Sequence, residues 1–408
     1  MITIEYDISS IDEAEKDFFK DMLSYVSEHI VNYEFDDNSV SIDIKSEKYY
    51  DDVMQNISQL RLMIDGEDFE QDEELETKVI FDASNVKPIN KEPIFDKLIE
   101  SQSVILVSPG VYAYSDLVWK ICEYFLKKVK DFLQTEFTDY REIQFPILYP
   151  IDKFNQGGYF EKFPHHIMFQ AVLKNDINTI KEFSKSGVNE NFLSNIEPPK
   201  SVLINASCVP VYPMLANSKY ENQKAAKVFF VTGKCFRNEG ANVEELSRLN
   251  EFTVSEIVFF GTDELIRDGI DKAKKLWEFW VNIFNLNCKI ETANDSFFAG
   301  NYKKLKFFQL IGNAKKEFKC LLPHSNKYIA TSSANYHRTQ FTKRYNIKSD
   351  KGYCHSGCIG FGIERLTYAL LCQKGIDLDK WDQATIDEVS KYVSLKNNNG
   401  ETGENSIL

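Results

Sequence analysis

The sequence predicts an α+β fold, an antiparallel sheet flanked by helices, preceded by a small N-terminal α+β domain. Two observations predict it. Short β-rich runs (SVLINASCVPVYPML, AKVFFVTGKCFRNEG, FTVSEIVFFG, KYIATSSANYH) cluster after residue 200 without regular βα alternation. Long segments with helical apolar spacing, VYAYSDLVWKICEYFLKKVKDFLQTEF and DELIRDGIDKAKKLWEFWVNIF, precede and interrupt them. With 408 residues and 43% apolar content, the chain can bury a large core.

In chain order, IDEAEKDFFKDMLSYVSEHI reads as an amphipathic helix and SVSIDIKS as a half-buried strand. KYYDDVMQNISQLRLMI reads as a second helix and GEDFEQDEELETK as a charged linker. These delimit a first domain over residues 1–100. A second domain is expected over 101–385. It opens with the long helix from residue 111, followed by YREIQFPILYP, a strand interrupted by Pro146. KEFSKSGVNENF has helix-forming composition, and CIGFGIERLTYALLCQKG passes from strand to helix. Residues 386–408 end in NNNGETGENSIL, read as a frayed tail.

The charge of −14 is uneven. Residues 1–100 hold 27 Asp/Glu against 9 Lys/Arg, which leaves the remainder at +4. So acidic a first quarter repels phosphate backbones, and extensive nucleic-acid contact is not expected. No apolar run approaches a membrane span, and the acidic N-terminus lacks a signal core, so a cytoplasmic protein is expected. The eight cysteines are scattered, which reads as thiols rather than disulfides.

Two constellations carry chemistry. In KCFRNEGANVEELSRLNEFTVSEIVFFG, Arg248, Phe252 and Glu256 fall at even spacing, hence on one face of a strand. Glu256 lies among Val254, Ile257, Val258 and Phe259, where a carboxylate must be paired or ligate something. Arg237 and Glu239 end the preceding run, so two charged arms converge into a nucleotide cradle. The second constellation is GCIGFGIER, where Gly360 and Gly362 allow close backbone approach and Arg365 opens a helix.

Together these segments resemble the class II aminoacyl-tRNA synthetase catalytic domain. Arg237-x-Glu239 with Arg248 and Phe252 resembles its motif 2, and Gly360 to Arg365 its motif 3. The 113–150 segment is similar to motif 1, which in that class builds the dimer interface and so implies a homodimer. More narrowly, GGYFEKFPHH, ASCVPVYPML, ETANDSFFAG, SSANYH and GCIGFGIER resemble the amino acid:[carrier protein] ligases, relatives of archaeal-type seryl-tRNA synthetases.

The resemblance implies ATP-dependent activation of a small amino acid, glycine or alanine first. Transfer to the phosphopantetheine thiol of an acyl carrier protein would follow. It implies zinc held by Cys208, Glu256 and Cys358, with Cys354 the first alternative ligand. Two thiolates and a carboxylate leave a fourth tetrahedral position open, which suits a working site. It implies Arg237 on the α-phosphate, Glu239 on the adenine amine and Phe252 stacking, with Arg365 and magnesium at the far phosphates. The usual acidic magnesium ligand is replaced by Ala330, and Glu317 is the candidate substitute. The rivals are a serine tRNA synthetase and a lapsed paralogue that only binds. KEFSKSGVNENF and the lysines at 303, 304 and 306 are the expected carrier-docking surface.

Overall fold

A computed structural model describes residues 1–65, 77–221, 224–293 and 314–395. The linker read over 66–78 lies almost wholly outside them. Most of the ETANDSFFAG segment, the lysines at 303, 304 and 306, and the terminal Asn-rich run also lie outside.

Residues 1–65 close on themselves. Strands β1 (Ile2–Asp7), β2 (Ile30–Phe35) and β3 (Ser39–Ile44) form a sheet in the order β1-β3-β2. Helices α1 (Glu13–Leu23) and α2 (Tyr50–Asp65) cover one side. Alternation explains the packing: Val40, Ile42 and Ile44 point into a core shared with Phe18, Phe19, Met22, Val53, Ile57 and Leu60. This core is separate from that of the remaining chain.

The main body is built on eight strands. They are β4 (Val79–Asp82), β5 (Tyr140–Glu142), β6 (Lys227–Phe236), β7 (Glu251–Gly261), β8 (Cys288–Thr292), β9 (Lys315–Leu322), β10 (Lys327–Arg338) and β11 (His355–Gly362). Their order is β4-β8-β9-β10-β11-β7-β6-β5, with antiparallel neighbours throughout except the β6–β5 edge pair. The α+β class with an antiparallel-dominated sheet is as the sequence predicts. Helices α3 (Asp116–Glu136), α4 (Asp263–Asp271), α5 (Ala273–Phe284) and α6 (Ile363–Lys374) pack on one face. There, Ile257 and Phe259 of β7 meet Ile359 and Phe361 of β11, Trp280 and Leu370. The opposite face is left for the site.

Four readings change. VYAY is a strand, Val111–Tyr114, which pairs with Val104–Ser108, so α3 begins only at Asp116. The hairpin satisfies backbone groups that a fraying first helical turn would leave open. VPVYPML is not extended: Val211–Met214 is a helical turn that follows Pro210 and contains Pro213. The segment read as one helix after residue 262 is two, α4 and α5. Residues 79–100, grouped by the sequence reading with the first hundred, supply β4 to the main sheet and Ile94 and Leu98 to its core.

Candidate active site

Register decides which side chains meet. Glu256 on β7 lies opposite Gly360 on β11, and Val258 opposite Cys358. On the other side of β11, Gly360 faces Ser333 and Cys358 faces Asn335. Side chains of cross-strand partners share a face, so Glu256, Cys358, Ser333 and Asn335 form one patch. Gly360 opens its centre. A β-carbon there would stand 3.6 Å from Glu256 Oε1, so any longer side chain would press on the carboxylate.

Cys208 arrives from outside the sheet, on the turn after the short strand Ser201–Leu203. Its main-chain N–H donates to Glu256 Oε2 at 2.5 Å, and the Ser207 hydroxyl donates to the same oxygen at 2.7 Å. With Oε2 pinned, Oε1 faces the Cys358 sulfur at 3.8 Å. One ligand atom each from Cys208, Glu256 and Cys358 lie within 4.8 Å of one another. All three residues are buried, at 7%, 5% and 3% exposure. Cys354 is buried nearby in the same apolar cluster but does not join the group.

The electrostatics suit a cation. Burial, then the neighbouring Cys358, pushes the Glu256 carboxyl up to about 7. The hydrogen bond between the two thiols favours the thiolate on Cys358, aided by His337 and Asn335. Two sulfurs and a carboxylate, dry and mutually destabilising when all are ionised, are the donor set that a borderline-soft divalent ion stabilises. These residues fit zinc.

Around this group runs a cavity of about 440 Å³. At its other end stand Arg237, Glu239, Phe252, Glu317 and Arg365. Arg237 and Glu239 follow the end of β6. Arg237 N–H donates to Asn250 O at 2.9 Å, and the Asn250 side chain accepts from Glu239 N–H at 2.9 Å. The Arg237 guanidinium lies over the Phe252 ring, 5.1 Å from its centroid, and donates to Asn205 O. Arg365 is clamped by two carbonyls, Ser247 O at 2.5 Å and Ala330 O at 3.1 Å. Burial, then Arg248, lowers its guanidinium to about 10. Glu317 lines the cavity but is bound by Lys315 at 2.8 Å and approached by Lys319 at 3.7 Å.

Arg248 departs from the sequence reading. It does not extend β7, which starts at Glu251; it sits in the connection between the arms, bridged to Glu244. Its guanidinium meets Asp21 of the first unit at 2.8 Å and Glu239 at 3.6 Å. Asn250, which hydrogen-bonds Pro109 and Gly110, breaks the strand before Arg248 can join it.

Two residues were missed. His337 places Nε2 3.8 Å from the Cys358 sulfur and Nδ1 2.9 Å from the Tyr212 hydroxyl. The even spacing of Ser333, Asn335 and His337 in SSANYH was the available signal. Glu364, on the first turn of α6, accepts from both the N–H and the hydroxyl of Thr253, at 2.8 and 2.9 Å, and so locks α6 to β7 beside the cavity.

Comparison with known proteins is consistent with this architecture. Residues 197–374 match the model of the tRNA synthetase class II core domain (G, H, P, S and T). Over 267 residues the chain is 28% identical to the type-2 serine–tRNA ligase of Methanocaldococcus jannaschii, spanning 63% of this chain and 51% of that protein. It is 29% identical over 300 residues to amino acid–[acyl-carrier-protein] ligase 1 of Bradyrhizobium diazoefficiens, covering 70% of this chain and 85% of that one. The chain thus spans about half the length of the serine–tRNA ligases it matches. Among solved structures, M. kandleri SerRS, seen with A. aeolicus tRNASec, superposes at a TM-score of 0.69 over 90% of this chain and 75% of that one. Its 18% identity speaks for the fold alone.

Residues 197–374 thus correspond to a class II aminoacyl-tRNA synthetase core domain, and the chain has the class II synthetase fold. Its similar proteins include archaeal-type serine–tRNA ligases and an amino acid–[acyl-carrier-protein] ligase.

Proposed function

We propose that this protein activates a small amino acid with ATP, as an aminoacyl adenylate, and passes it to the phosphopantetheine thiol of an acyl carrier protein. One observation carries the reading: Cys208, Glu256 and Cys358 converge in the same cavity that Arg237, Glu239, Phe252 and Arg365 line. Zinc held by the first three would supply an open coordination position for a neutral α-amine.

The amino acid carboxylate, placed beside Arg237, attacks the α-phosphorus of ATP. An O–P bond forms as the bond to pyrophosphate breaks. The protein contributes position and charge: Arg237 steadies the α-phosphate and Arg365, held rigid by two carbonyls, faces the departing pyrophosphate. Glu239 receives the adenine amine and Phe252 its ring. Glu317, once Lys315 and Lys319 release it, would be the residue to hold magnesium, which would supply charge neutralisation to the departing phosphates. The carrier thiol then gives its proton to solvent and attacks the aminoacyl carbonyl; a C–S bond forms as the C–O bond to AMP breaks, and AMP leaves with the electron pair.

Small substrates suit the cavity because His337, Tyr159 and Phe341 line it together with the sulfur group. An acidic carrier would dock on the helix Ile177–Ser186, whose Lys181 and Lys185 are exposed. Self-association as a homodimer would use α3 and the hairpin before it, where Ile105, Leu106 and Val107 stand exposed. Cytoplasmic residence goes with this reading; among the described residues no helix is long and apolar enough to cross a membrane.

Transfer of serine to tRNA is the second reading, supported by the similarity to serine–tRNA ligases. The acidity of residues 1–100 weighs against it. ATP–pyrophosphate exchange with glycine, alanine and serine tests activation. Transfer to holo-carrier protein against tRNA then separates the readings. Exchange with none of the three amino acids would refute both.

A further inference from the structure

The first unit, residues 1–65, has its own core and no part in the chemistry above. Yet its α1 end is fastened to the connection that joins the two arms. Asn242, in the turn Gly240–Asn242, gives its side-chain amide to Asp21 O at 3.0 Å and Ser24 Oγ at 2.8 Å. Its carbonyl oxygen accepts from the Tyr33 hydroxyl, so the side chain is used completely by the first unit. Tyr25 OH donates to Asn238 O at 2.8 Å, and the Asp21 carboxylate meets Arg248 at 2.8 Å. Gly240 is required twice over. Its φ is +56°, and a β-carbon would come within 3.0 Å of Ser24 Oγ.

The same contact reaches a second wall of the cavity. Phe163 lines the cavity and also packs against the core of the first unit. Tyr25 stacks edge-on against His165, centroids 4.9 Å apart, and Asn238 N–H donates to His166 O. Both segments that the first unit touches thus border the nucleotide end, and neither is a strand whose register would fix it.

Arg248 shows why this matters. It stands near Arg365 and Arg237, so three guanidiniums share the region with few counter-charges. Asp21 at 2.8 Å and Glu239 at 3.6 Å are the carboxylates that pair with Arg248, with Glu244 and Glu317 further off. Removing the Asp21 charge would leave Arg248 repelled by its neighbours and drawn onto Glu239, the group meant for adenine.

We propose that the N-terminal unit is a positioning element of the nucleotide site, in which Asp21, with Ser24 and Tyr25, holds the connection 238–248 so that Arg248 and Glu239 are presented to a nucleoside triphosphate. Asp21 acts through Arg248 and does not touch the reacting atoms. The inference rests on the nucleotide reading of the cavity.

The test is calorimetric binding of ATP and of glycine to the full-length chain and its Asp21→Asn variant, with melting temperatures measured in parallel. Asp21→Asn should weaken ATP about tenfold, as expected for one charge-assisted contact, and leave glycine binding unchanged. Tyr25→Phe, which keeps the ring against His165, should weaken ATP by a smaller factor in the same direction; it decides the matter if Asp21→Asn does not fold. Equal or tighter ATP binding in the variant overturns the inference, as does equal weakening of both ligands. A wild-type chain that does not bind ATP overturns it together with the proposed function. Binding of ATP without pyrophosphate exchange leaves this inference standing and refutes the function alone.

Discussion

The two ends of the cavity are built differently. At the sulfur end, Glu256 and Cys358 stand on neighbouring central strands, fixed by register, and Glu256 Oε2 is tied by two donors. At the nucleotide end, Arg237, Glu239 and Arg248 stand on connections beyond strand ends, and their partners come from other parts of the chain. A strand pair positions its side chains by backbone hydrogen bonds alone; a connection needs outside anchors. The sulfur end should therefore respond to substitution all at once, and the nucleotide end by degrees.

The sharpest way to break this contrast is Cys208→Ser. Loss of one soft ligand should abolish amino acid activation while the fold persists, because the turn still gives Glu256 its two hydrogen bonds. Pyrophosphate exchange at a near-normal rate would place the amino acid elsewhere. Arg237→Ala comes next, with an expected loss of about 10²–10³ in kcat/KM for one charge contact to the transition state. A fall in affinity for ATP with kcat intact would make Arg237 a binding group only.

His337→Ala sharpens the sulfur end. Its contacts with Cys358 and Tyr212 make it a supporting group, so zinc affinity should drop about 10- to 100-fold in competition with a chelator. The smallest effect is expected of Phe252→Ala, a rise of about 2- to 10-fold in KM for ATP. Unchanged KM would mean that the ring serves only as a rest for Arg237.

Much of this was legible in the sequence, for reasons that can be named. The runs around Phe229 to Val231 and Ile257 to Phe260 alternate or saturate as strands do, so both arms and their pairing could be read directly. The strand-to-helix passage at Gly362 was equally plain. The sulfur group was not legible from pattern. Cys208, Glu256 and Cys358 are some 50 and 100 residues apart, and only register and the 204–211 turn unite them; the family resemblance carried that expectation. Arg248 was misplaced because even spacing presumes an unbroken strand, and Asn250 breaks it. The hold of Asp21 on Arg248 spans 227 residues between two separately folded cores, and no local pattern encodes it.

The claim on which the account turns is that two thiols and one carboxyl hold a single metal ion. Elemental analysis of the purified full-length chain beside its Cys358→Ser variant tests it most directly. One zinc per chain in the wild type, absent from a folded variant, is the result expected. A metal-free wild type that still activates amino acids, or zinc retained in the variant, would contradict it.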